Sequence, residues 1–355
     1  MTRPHCPRLI AFLCWASMGF AYATLAGPAQ SDDVSGQETG ITKINVTSLP
    51  SRNREIRLLR SFPTEEDEAK DIFLAQAQYF SADAKGRIYV GDVTKNEVLV
   101  FEKDGTPAMK IGRKGQGPGE FNMVGRAVST ASGLAVLDRG NSRIQYFDQS
   151  GRFTGSSKLT KTYVDIALAS DGTVFAFSAP NIPGKIVSAL DPEGRIKFEF
   201  GLPPQAMTGK PSISWPKISP RNELYVAYWF LPIVQVYSLT GEPIRIFELQ
   251  YRPMQARLSK NEAQAATTPG GARVLGEAII DALDVDENGF YVLYRDKRIE
   301  ILEFTHEGTY VRTYWAPFAP DYYPTGLLVL KEADRKLFFL LQAAPDNRID
   351  VFVEK

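Results

Sequence analysis

The sequence predicts an all-β protein, a six-bladed β-propeller built from four-stranded antiparallel blades. Three observations support this prediction. A unit of four short apolar strands recurs along the chain, the turns inside the unit keep a constant spacing, and the two ends of the chain complement each other. Hydrophobic and charged residues make up 44% and 23% of the chain, as in a globular protein with a large core.

The repeat has five full copies and a shorter sixth. The copies are Tyr79–Gly112, Ala127–Leu159, Asp165–Gly201, Trp215–Leu249, Ile280–Trp315 and Pro324–Lys355. The first turn of the full copies is marked by Gly86, Gly133, Gly172, Asn222 and Gly289, and the third turn by Gly105, Gly151, Gly194, Gly241 and Gly308. Marker separations of 19, 18, 22, 19 and 19 residues indicate one repeated meander, and glycine or asparagine suits the positive φ of hairpin turns.

The ends of the chain predict how the ring closes. The sixth copy stops before a fourth strand, whereas Arg54–Phe62 looks like a fourth strand that has no blade of its own. Pairing this segment with the C-terminal strand would complete the sixth blade and hide two open strand edges. We therefore expect six blades, with the ring closed by an N-terminal strand.

The N-terminus has the pattern of a secretory signal peptide over residues 1–23. Arg3 and Arg8 precede the apolar run Leu9–Phe20, and Ala21-Tyr22-Ala23 provides a small-x-small cleavage site. Retention of this segment as an anchor is the alternative. Residues 24–52 are predicted to be a flexible linker and residues 53–355 the propeller. We expect a periplasmic or secreted protein with no transmembrane span after cleavage.

One connector between blades is unusually long. The insertion covers about residues 251–278, and Ser259-Lys260-Asn261-Glu262 carries a capping signature that predicts the start of a short helix. An insertion of this length is either a functional surface or a tolerated excursion.

Residue usage removes several classes of function. Both cysteines, Cys6 and Cys14, lie in the signal peptide, and His306 is the one histidine outside it. Outside the predicted signal peptide, the chain therefore lacks the cysteines and most of the histidines that nucleophilic triads and zinc sites usually use. We expect no cofactor and no metal. A calcium site of carboxylates and amides stays open, because it needs no histidine. The basic and acidic residues number 41 each, which gives no reason to expect nucleic-acid binding.

The run Asp284-x-Asp286-x-Asn288-Gly289 imitates the start of a calcium loop. Its twelfth position is Arg295, where a bidentate glutamate is needed. The run also falls on the first turn of its blade, so it is predicted to be a hairpin turn.

The second copy carries a resemblance to a known family. Gly112–Phe121 (GRKGQGPGEF), followed by GLAVLD and GNSRIQYFDQSGRF, resembles the NHL repeat: a Gly-rich connector, an apolar strand ending in Asp, Asn-x-Arg-Ile and Asp-x-x-Gly. The chain is similar to six-bladed NHL-like propellers of exported bacterial proteins, specifically over Ile111–Phe153. The resemblance implies the propeller fold; related propellers include scaffolds, ligand binders and metal-dependent enzymes.

The Gly-rich run Ile111–Phe121 invites a nucleotide-binding interpretation, but it lies between two strands. It lacks the strand-to-helix context of a dinucleotide fingerprint and the Gly-Lys-Ser/Thr of a P-loop. We predict a tight connector, with Phe121 as an apolar plug between blades. An anion-binding nest beside Arg113 and Lys114 is the alternative.

Chain direction places the connectors and the second turn of each blade on one face, which we call the connector face. We expect a binding or scaffold role there, for a protein, a glycan or a small anionic ligand. The alternative is a metal-dependent hydrolase or lyase in the central channel. The candidate ligand-binding residues are Arg113, Lys114, Arg126, Arg143, Trp215, Tyr228, Trp229, Arg295, Tyr322 and Tyr323.

Overall fold

Two N-terminal strands lead into the ring of blades. The computed structural model describes residues 40–47, 50–178, 184–202, 214–267, 276–318, 321–343 and 346–355, so the predicted signal peptide lies outside the described residues. The first elements are β1 (Ile41–Asn45), a 3-10 helix (Pro50–Arg52), β2 (Asn53–Phe62) and the one-turn helix α1 (Glu65–Glu68).

Blades 1 to 3 are four-stranded antiparallel sheets, and each follows the order of the chain from its innermost to its outermost strand. Blade 1 comprises β3 (Ala77–Ala82), β4 (Ile88–Asp92), β5 (Glu97–Phe101) and β6 (Pro107–Ile111). Blade 2 comprises β7 (Val124–Thr130), β8 (Gly133–Asp138), β9 (Arg143–Asp148) and β10 (Phe153–Lys158). Blade 3 comprises β11 (Asp165–Leu168), β12 (Val174–Phe177), β13 (Val187–Leu190) and β14 (Ile196–Phe200).

Blades 4 to 6 repeat this arrangement, and the helix α2 (Arg252–Thr267) lies in the connector after blade 4. Blade 4 comprises β15 (Ser214–Ile218), β16 (Glu223–Tyr228), β17 (Ile233–Ser238) and β18 (Pro243–Gln250). Blade 5 comprises β19 (Ala282–Val285), β20 (Gly289–Arg295), β21 (Ile299–Thr305) and β22 (Tyr310–Ala316). Blade 6 comprises β23 (Pro324–Glu332), β24 (Arg335–Gln342) and β25 (Arg348–Glu354).

The N-terminal strand β2 supplies the missing fourth strand of blade 6. Its residues Ile56–Phe62 pair antiparallel with β25, and Asn53–Glu55 pair in parallel with β22 of blade 5. This pairing confirms the predicted fold class and its closure by an N-terminal strand. Because β2 bonds to two blades at once, opening the ring would expose strand edges on both.

A further strand extends blade 4. β1 pairs in parallel with β18 along the whole of Ile41–Asn45, and the side chains of Ile44 and Val46 are buried in the core between blades 4 and 5. This segment lies within the predicted flexible linker, residues 24–52, a stretch rich in Ser, Thr, Gly, Gln and Asp. Its two buried aliphatic residues instead hold it on the outer edge of the propeller.

Helix α2 begins earlier than its predicted start. It begins at Arg252, so Ser259 lies inside the helix and does not cap it. Among the described residues, no helix is both long and apolar enough to cross a membrane.

The turns follow the predicted glycine pattern with one exception. The third-turn glycines all have positive φ, between 79° and 96°. Gly289, a first-turn marker, is not among the positive-φ glycines of the described residues. A Cβ there would lie 1.8 Å from the backbone oxygen of Phe304, so glycine is needed for close strand approach instead of for turn geometry.

Six apolar clusters fill the spaces between neighbouring blades. Phe121, at the end of the Gly-rich connector, is completely buried in the cluster between blades 1 and 2, where its ring centroid lies 5.7 Å from that of Phe147. The phenylalanine therefore packs as the plug that the sequence predicts.

Candidate functional site

The central channel is bounded by the innermost strands, and its polar side chains are paired with one another. Arg126 of β7 donates from Nε and Nη2 to the two carboxylate oxygens of Asp165 in β11, both at 2.7 Å. Arg126 Nη1 also donates to the backbone oxygen of Phe80 in β3, at 2.8 Å. This arginine therefore joins blades 1, 2 and 3.

A second pair joins the other three blades. Lys217 Nζ of β15 lies 2.9 Å from Asp284 Oδ1 of β19, and the backbone N–H of Val329 in β23 donates to Asp284 Oδ2 at 2.6 Å. Burial lowers the pKa of Lys217, and the Asp284 carboxylate opposes that effect. The two ion pairs together involve all six blades, which indicates that these buried charges fasten the ring along its axis.

The two carboxylates described in this channel are not free to bind a metal ion. Both oxygens of Asp165 accept bonds from Arg126, and both oxygens of Asp284 are bonded, to Lys217 and to a backbone N–H. A cation would have to displace a lysine or an arginine from each carboxylate. Among the residues that the structure describes, no three His, Cys, Asp or Glu side chains come together. The described carboxylates therefore give no support to the metal-dependent alternative.

The run that imitates a calcium loop forms a turn. Asp286 Oδ1 accepts from the backbone N–H groups of Asn288 and Gly289, at 2.8 and 3.1 Å, while Asp284 faces the channel. The predicted hairpin turn is therefore present.

The Gly-rich connector is sealed by side chains of blade 2. Arg143 donates to Asp138 Oδ2 and to the backbone oxygens of Gly117 and Glu120, at 2.7–2.8 Å. Gln145 donates to the same Glu120 oxygen and accepts from the N–H of Gly119. Arg143, predicted to bind a ligand, instead holds the connector in place.

An anion bound at this connector would compete with a carboxylate of the connector itself. The backbone N–H of Gly117 donates to Glu120 Oε2 at 2.9 Å, and Arg113 pairs with Glu120 Oε1 at 2.9 Å. These contacts, first the backbone bond and then Arg113, lower the pKa of Glu120. A carboxylate of the loop itself therefore occupies the position that a phosphate would need. Lys114 is exposed.

Four other predicted residues lie in the interior. Arg126, Trp215, Tyr228 and Tyr322 are each at most 8% exposed. The Tyr228 hydroxyl donates to Gln235, and Trp215 packs in the core between blades 4 and 5. Sequence alone could not separate these residues from surface ones, because strand ends at the connector face alternate between the face and the core. Their burial removes them from the binding surface proposed below.

The remaining predicted residues lie together across blades 4, 5 and 6. At the second turn of blade 4, the rings of Trp229 and Phe230 are stacked with centroids 5.3 Å apart, and both side chains are half-buried. The backbone oxygen of Trp229 accepts from the N–H groups of Ile279 and Ile280, at 2.7 and 3.2 Å. The end of the long connector is thereby tied to this aromatic turn.

Asp281 directly follows Ile280 in the chain and forms a loose ion pair with Arg295. The distance from Arg295 Nη2 to Asp281 Oδ1 is 3.6 Å, and the guanidinium lies 3.9 Å from the centroid of the Tyr323 ring in blade 6. Asp281 Oδ2 and Arg295 Nε are buried, and neither has a hydrogen-bond partner among the described residues. Burial raises the pKa of Asp281 to about 6, although Arg295 and Arg257 oppose the shift.

We call the set formed by Trp229, Phe230, Asp281, Arg295 and Tyr323 the connector-face strip. Its contacts are continuous from blade 4 to blade 6. Asp281 was not among the predicted site residues. The one signal for it is an acid placed inside the apolar run Ala278–Leu283, a position at which a carboxylate needs a reason to be buried.

Helix α2 forms a wall beside the strip. Arg257 donates to the backbone oxygen of Ala278 at 2.7 Å, and its guanidinium lies 4.6 Å from the centroid of the Tyr294 ring. Glu277 and Asp296 lie 3.5 and 3.4 Å from the same guanidinium. The long connector therefore shapes one side of the strip.

Comparison with solved structures supports the fold. An exported protein, so named, from Bacteroides fragilis is 14% identical, with a TM-score of 0.57, covering 89% of this chain and 99% of that chain. A member of the DUF4221 family from Bacteroides vulgatus is 11% identical, with a TM-score of 0.55 and coverage of 85% and 98%. A streptogramin B lyase is 15% identical, with a TM-score of 0.51 and coverage of 84% and 98%.

At these identities the likeness concerns the fold alone. No curated protein matches the sequence. A family model described as a 6-bladed beta-propeller matches residues 68–261, more than half of the chain, and it covers blades 1 to 4 together with most of helix α2. The chain therefore belongs to the DUF5128 family of six-bladed β-propellers.

Proposed function

We propose that this protein is an exported binding module that holds its ligand on the connector-face strip. The observation that carries the proposal is the pair of the buried Asp281 and the partly exposed Arg295, in which each side chain has one polar atom without a partner among the described residues. Buried polar groups are nearly always satisfied in folded proteins, so a pair left open on one face requires an explanation. A ligand group that completes both hydrogen bonds supplies one.

The neighbouring aromatic rings add binding surface. Trp229, Phe230 and Tyr323 are all partly accessible, and aromatic residues near an arginine are the usual centre of a binding surface. The exposed Arg113 and Lys114 lie on the same face and are assigned a peripheral role, as charges that meet the partner outside the strip.

Export is supported by the signal-peptide pattern of residues 1–23 and by the likeness to a protein named as exported. The NHL-like character of Ile111–Phe153 stays a prediction. In this proposal its polar residues serve the connector, because Asp138, Arg143 and Gln145 are already bonded within the chain.

The test is capture of partners from the native envelope fraction by the immobilised purified protein, with quantitative mass spectrometry of both the proteins and the glycans that are retained. Trp229→Ala and Arg295→Gln are compared with the wild type and with Lys85→Ala, an exposed lysine on the opposite face. We expect the two strip variants to lose the same specific partners and the Lys85 variant to keep them. Unchanged capture by both strip variants would refute the assignment of this surface.

A further inference from the structure

Asp281 Oδ2 and Arg295 Nε, the atoms of the strip that lack a partner, are buried, whereas the Arg295 side chain is partly exposed, so a ligand would pair with them once that side chain turns aside. The two atoms define the chemistry of that ligand group. A carboxylate oxygen only accepts hydrogen bonds and a guanidinium N–H only donates them, so Asp281 Oδ2 needs a donor and Arg295 Nε needs an acceptor. A hydroxyl group does both, since it has one O–H and two lone pairs. Two neighbouring hydroxyl groups could equally divide the two tasks.

The charge balance of the strip favours a neutral ligand. Asp281 and Arg295 offset each other, and Arg257 is offset by Glu277 and Asp296. A free anion would meet the Asp281 carboxylate, and a free cation would meet two guanidinium groups. Desolvating an ionic ligand beside these groups costs more than the remaining attraction returns.

The aromatic rings favour a ligand that has flat apolar faces as well as polar edges. The stacked rings of Trp229 and Phe230 stand at one end of the strip, and the Tyr323 ring stands at the other. A pyranose ring presents C–H groups on its faces and hydroxyls around its edge, which matches an aromatic platform with a few placed polar groups.

A peptide fits this surface less well. Extended peptides gain most of their affinity by adding to an open strand edge. Within the part of the chain that the structure describes, the strip consists of turns, strand ends and a connector, and strands β19, β20 and β23 next to it already pair inside their own blades.

We propose that the connector-face strip binds a neutral glycan, with Arg295 Nε donating to a sugar hydroxyl, Asp281 Oδ2 accepting from a sugar O–H, and Trp229, Phe230 and Tyr323 packing on sugar faces. This inference rests on the proposed function and specifies its ligand. Sites built to hydrogen-bond a hydroxyl strongly reject analogues that lack it, because buried polar groups are then left unpaired. The strip therefore also confers selectivity among sugars.

The experiment titrates the purified protein with cellohexaose, laminarihexaose, maltohexaose and chitohexaose, using calorimetry and tryptophan fluorescence. An oligogalacturonate of similar length serves as the anionic comparison. We expect saturable binding of at least one neutral oligosaccharide. Asp281→Asn, Arg295→Gln and Trp229→Ala should each weaken this binding about tenfold or more, the loss of one good contact.

The matched control is Arg139→Gln in blade 2. Arg139 also follows the second strand of its blade and contacts a tyrosine, since its Nη1 donates to the Tyr79 hydroxyl at 3.0 Å and its guanidinium lies 5.9 Å from the Tyr79 ring centroid. Its Nε is buried without a partner, as that of Arg295 is, but among the described residues it forms no ion pair with a carboxylate. Its variant should bind the oligosaccharide as the wild type does. Circular dichroism verifies the fold of every variant, and Trp229→Ala, at a half-buried turn, keeps the test decisive if Asp281→Asn does not fold.

Several results would overturn the proposal. They are an absence of binding by all four neutral oligosaccharides at millimolar concentration, stronger binding of the oligogalacturonate, and binding that the strip variants do not change. If captured partners depend on Trp229 and Arg295 while no oligosaccharide binds, the ligand is a protein and the glycan assignment is wrong, whereas the binding surface stands. If capture is also independent of these residues, both proposals fail.

Discussion

Blades 2 and 5 present the same kinds of segment on the connector face but use them differently. In blade 2, Asp138 accepts from the N–H of Asn122, and Arg143 and Gln145 bind the backbone of the preceding connector. Asp138, Arg143 and Gln145 thus all have partners inside the protein, although Nε of the neighbouring Arg139 lacks one among the described residues. The Gly-rich run between blades 1 and 2 is thus held closed.

In blade 5 the equivalent positions hold aromatic residues or polar residues whose hydrogen bonds are only partly made. Strand β20 ends in Tyr294 and Arg295, and Tyr294 packs against Tyr251 and Arg257 of the long connector. Glu300 accepts from the Tyr251 hydroxyl at 2.6 Å, much as Gln145 holds its own connector. Asp281 Oδ2 and Arg295 Nε have no hydrogen-bond partner among the described residues.

The difference supports the assignment of the proposed binding surface to the blade 5 side of the ring. The NHL-like residues of blade 2 hold a connector in place, whereas the proposed binding residues lie where that motif is absent. The predictions below test this division, from the largest expected effect on stability to the smallest.

The largest effect on stability is expected from the ion pair of Arg126 and Asp165 in the central channel. Arg126→Ala leaves Asp165 buried without its partner and should lower the free energy of unfolding by about 3–5 kcal/mol. Urea denaturation measures the change, with the exposed Arg113→Ala as the control, expected within about 0.5 kcal/mol of the wild type. A loss below 1 kcal/mol for Arg126→Ala would contradict the axial role of this pair.

The next effect concerns the closed connector. Asp138→Ala removes the acceptor used by the N–H of Asn122 and by Arg143, Asn141 and Gln145, and should destabilise the protein by about 1–3 kcal/mol. Amide hydrogen exchange should quicken over residues 115–122. If exchange there is unchanged, the side chains of blade 2 do not hold the connector.

A pH effect is expected from the open pair of blade 5. Burial raises the pKa of Asp281 to about 6 from an ordinary value of 3.8, so the folded state binds this proton more tightly than the unfolded state does. The contribution of Asp281 to stability therefore decreases as pH rises from about 4 to about 6. Asp281→Asn should remove this slope, which unfolding curves across that range will show. A slope that persists in the variant would assign it to other groups.

The smallest effect on stability is expected at the strip itself. Trp229→Ala should change the free energy of unfolding by about 1 kcal/mol or less, because its side chain is partly exposed. Arg295→Gln should cost less than Arg126→Ala, because the contact of Arg295 with Asp281 is loose and its side chain is partly exposed. The same variants should lose ligand binding. A large loss of stability would mean that the strip, like the connector of blade 2, is a structural feature.

The sequence was sufficient for the architecture. Constant turn spacing predicted the blades, and the orphan strand Arg54–Phe62 predicted the closure that β2 makes with β25. These features depend on local turn chemistry and periodicity, which a single sequence displays. The start of helix α2 and the docking of β1 on blade 4 depend on tertiary contacts, and the sequence did not reveal them.

The site was predictable only as a face of the molecule. Chain direction placed Trp229, Arg295 and Tyr323 on the connector face. It could not distinguish them from Arg126, Trp215, Tyr228 and Tyr322, whose burial depends on how neighbouring blades pack. Asp281 gains its importance from an open oxygen beside Arg295, a property of three-dimensional geometry that no sequence pattern encodes.

We propose that ligands contact the strip across blades 4–6 and not the closed Gly-rich connector. Hydrogen exchange with mass spectrometry, recorded with and without the captured ligand, tests this directly on peptides covering residues 111–121, 226–233 and 279–296. We expect protection of the second and third peptides and no change in the first. Protection confined to residues 111–121 would contradict it.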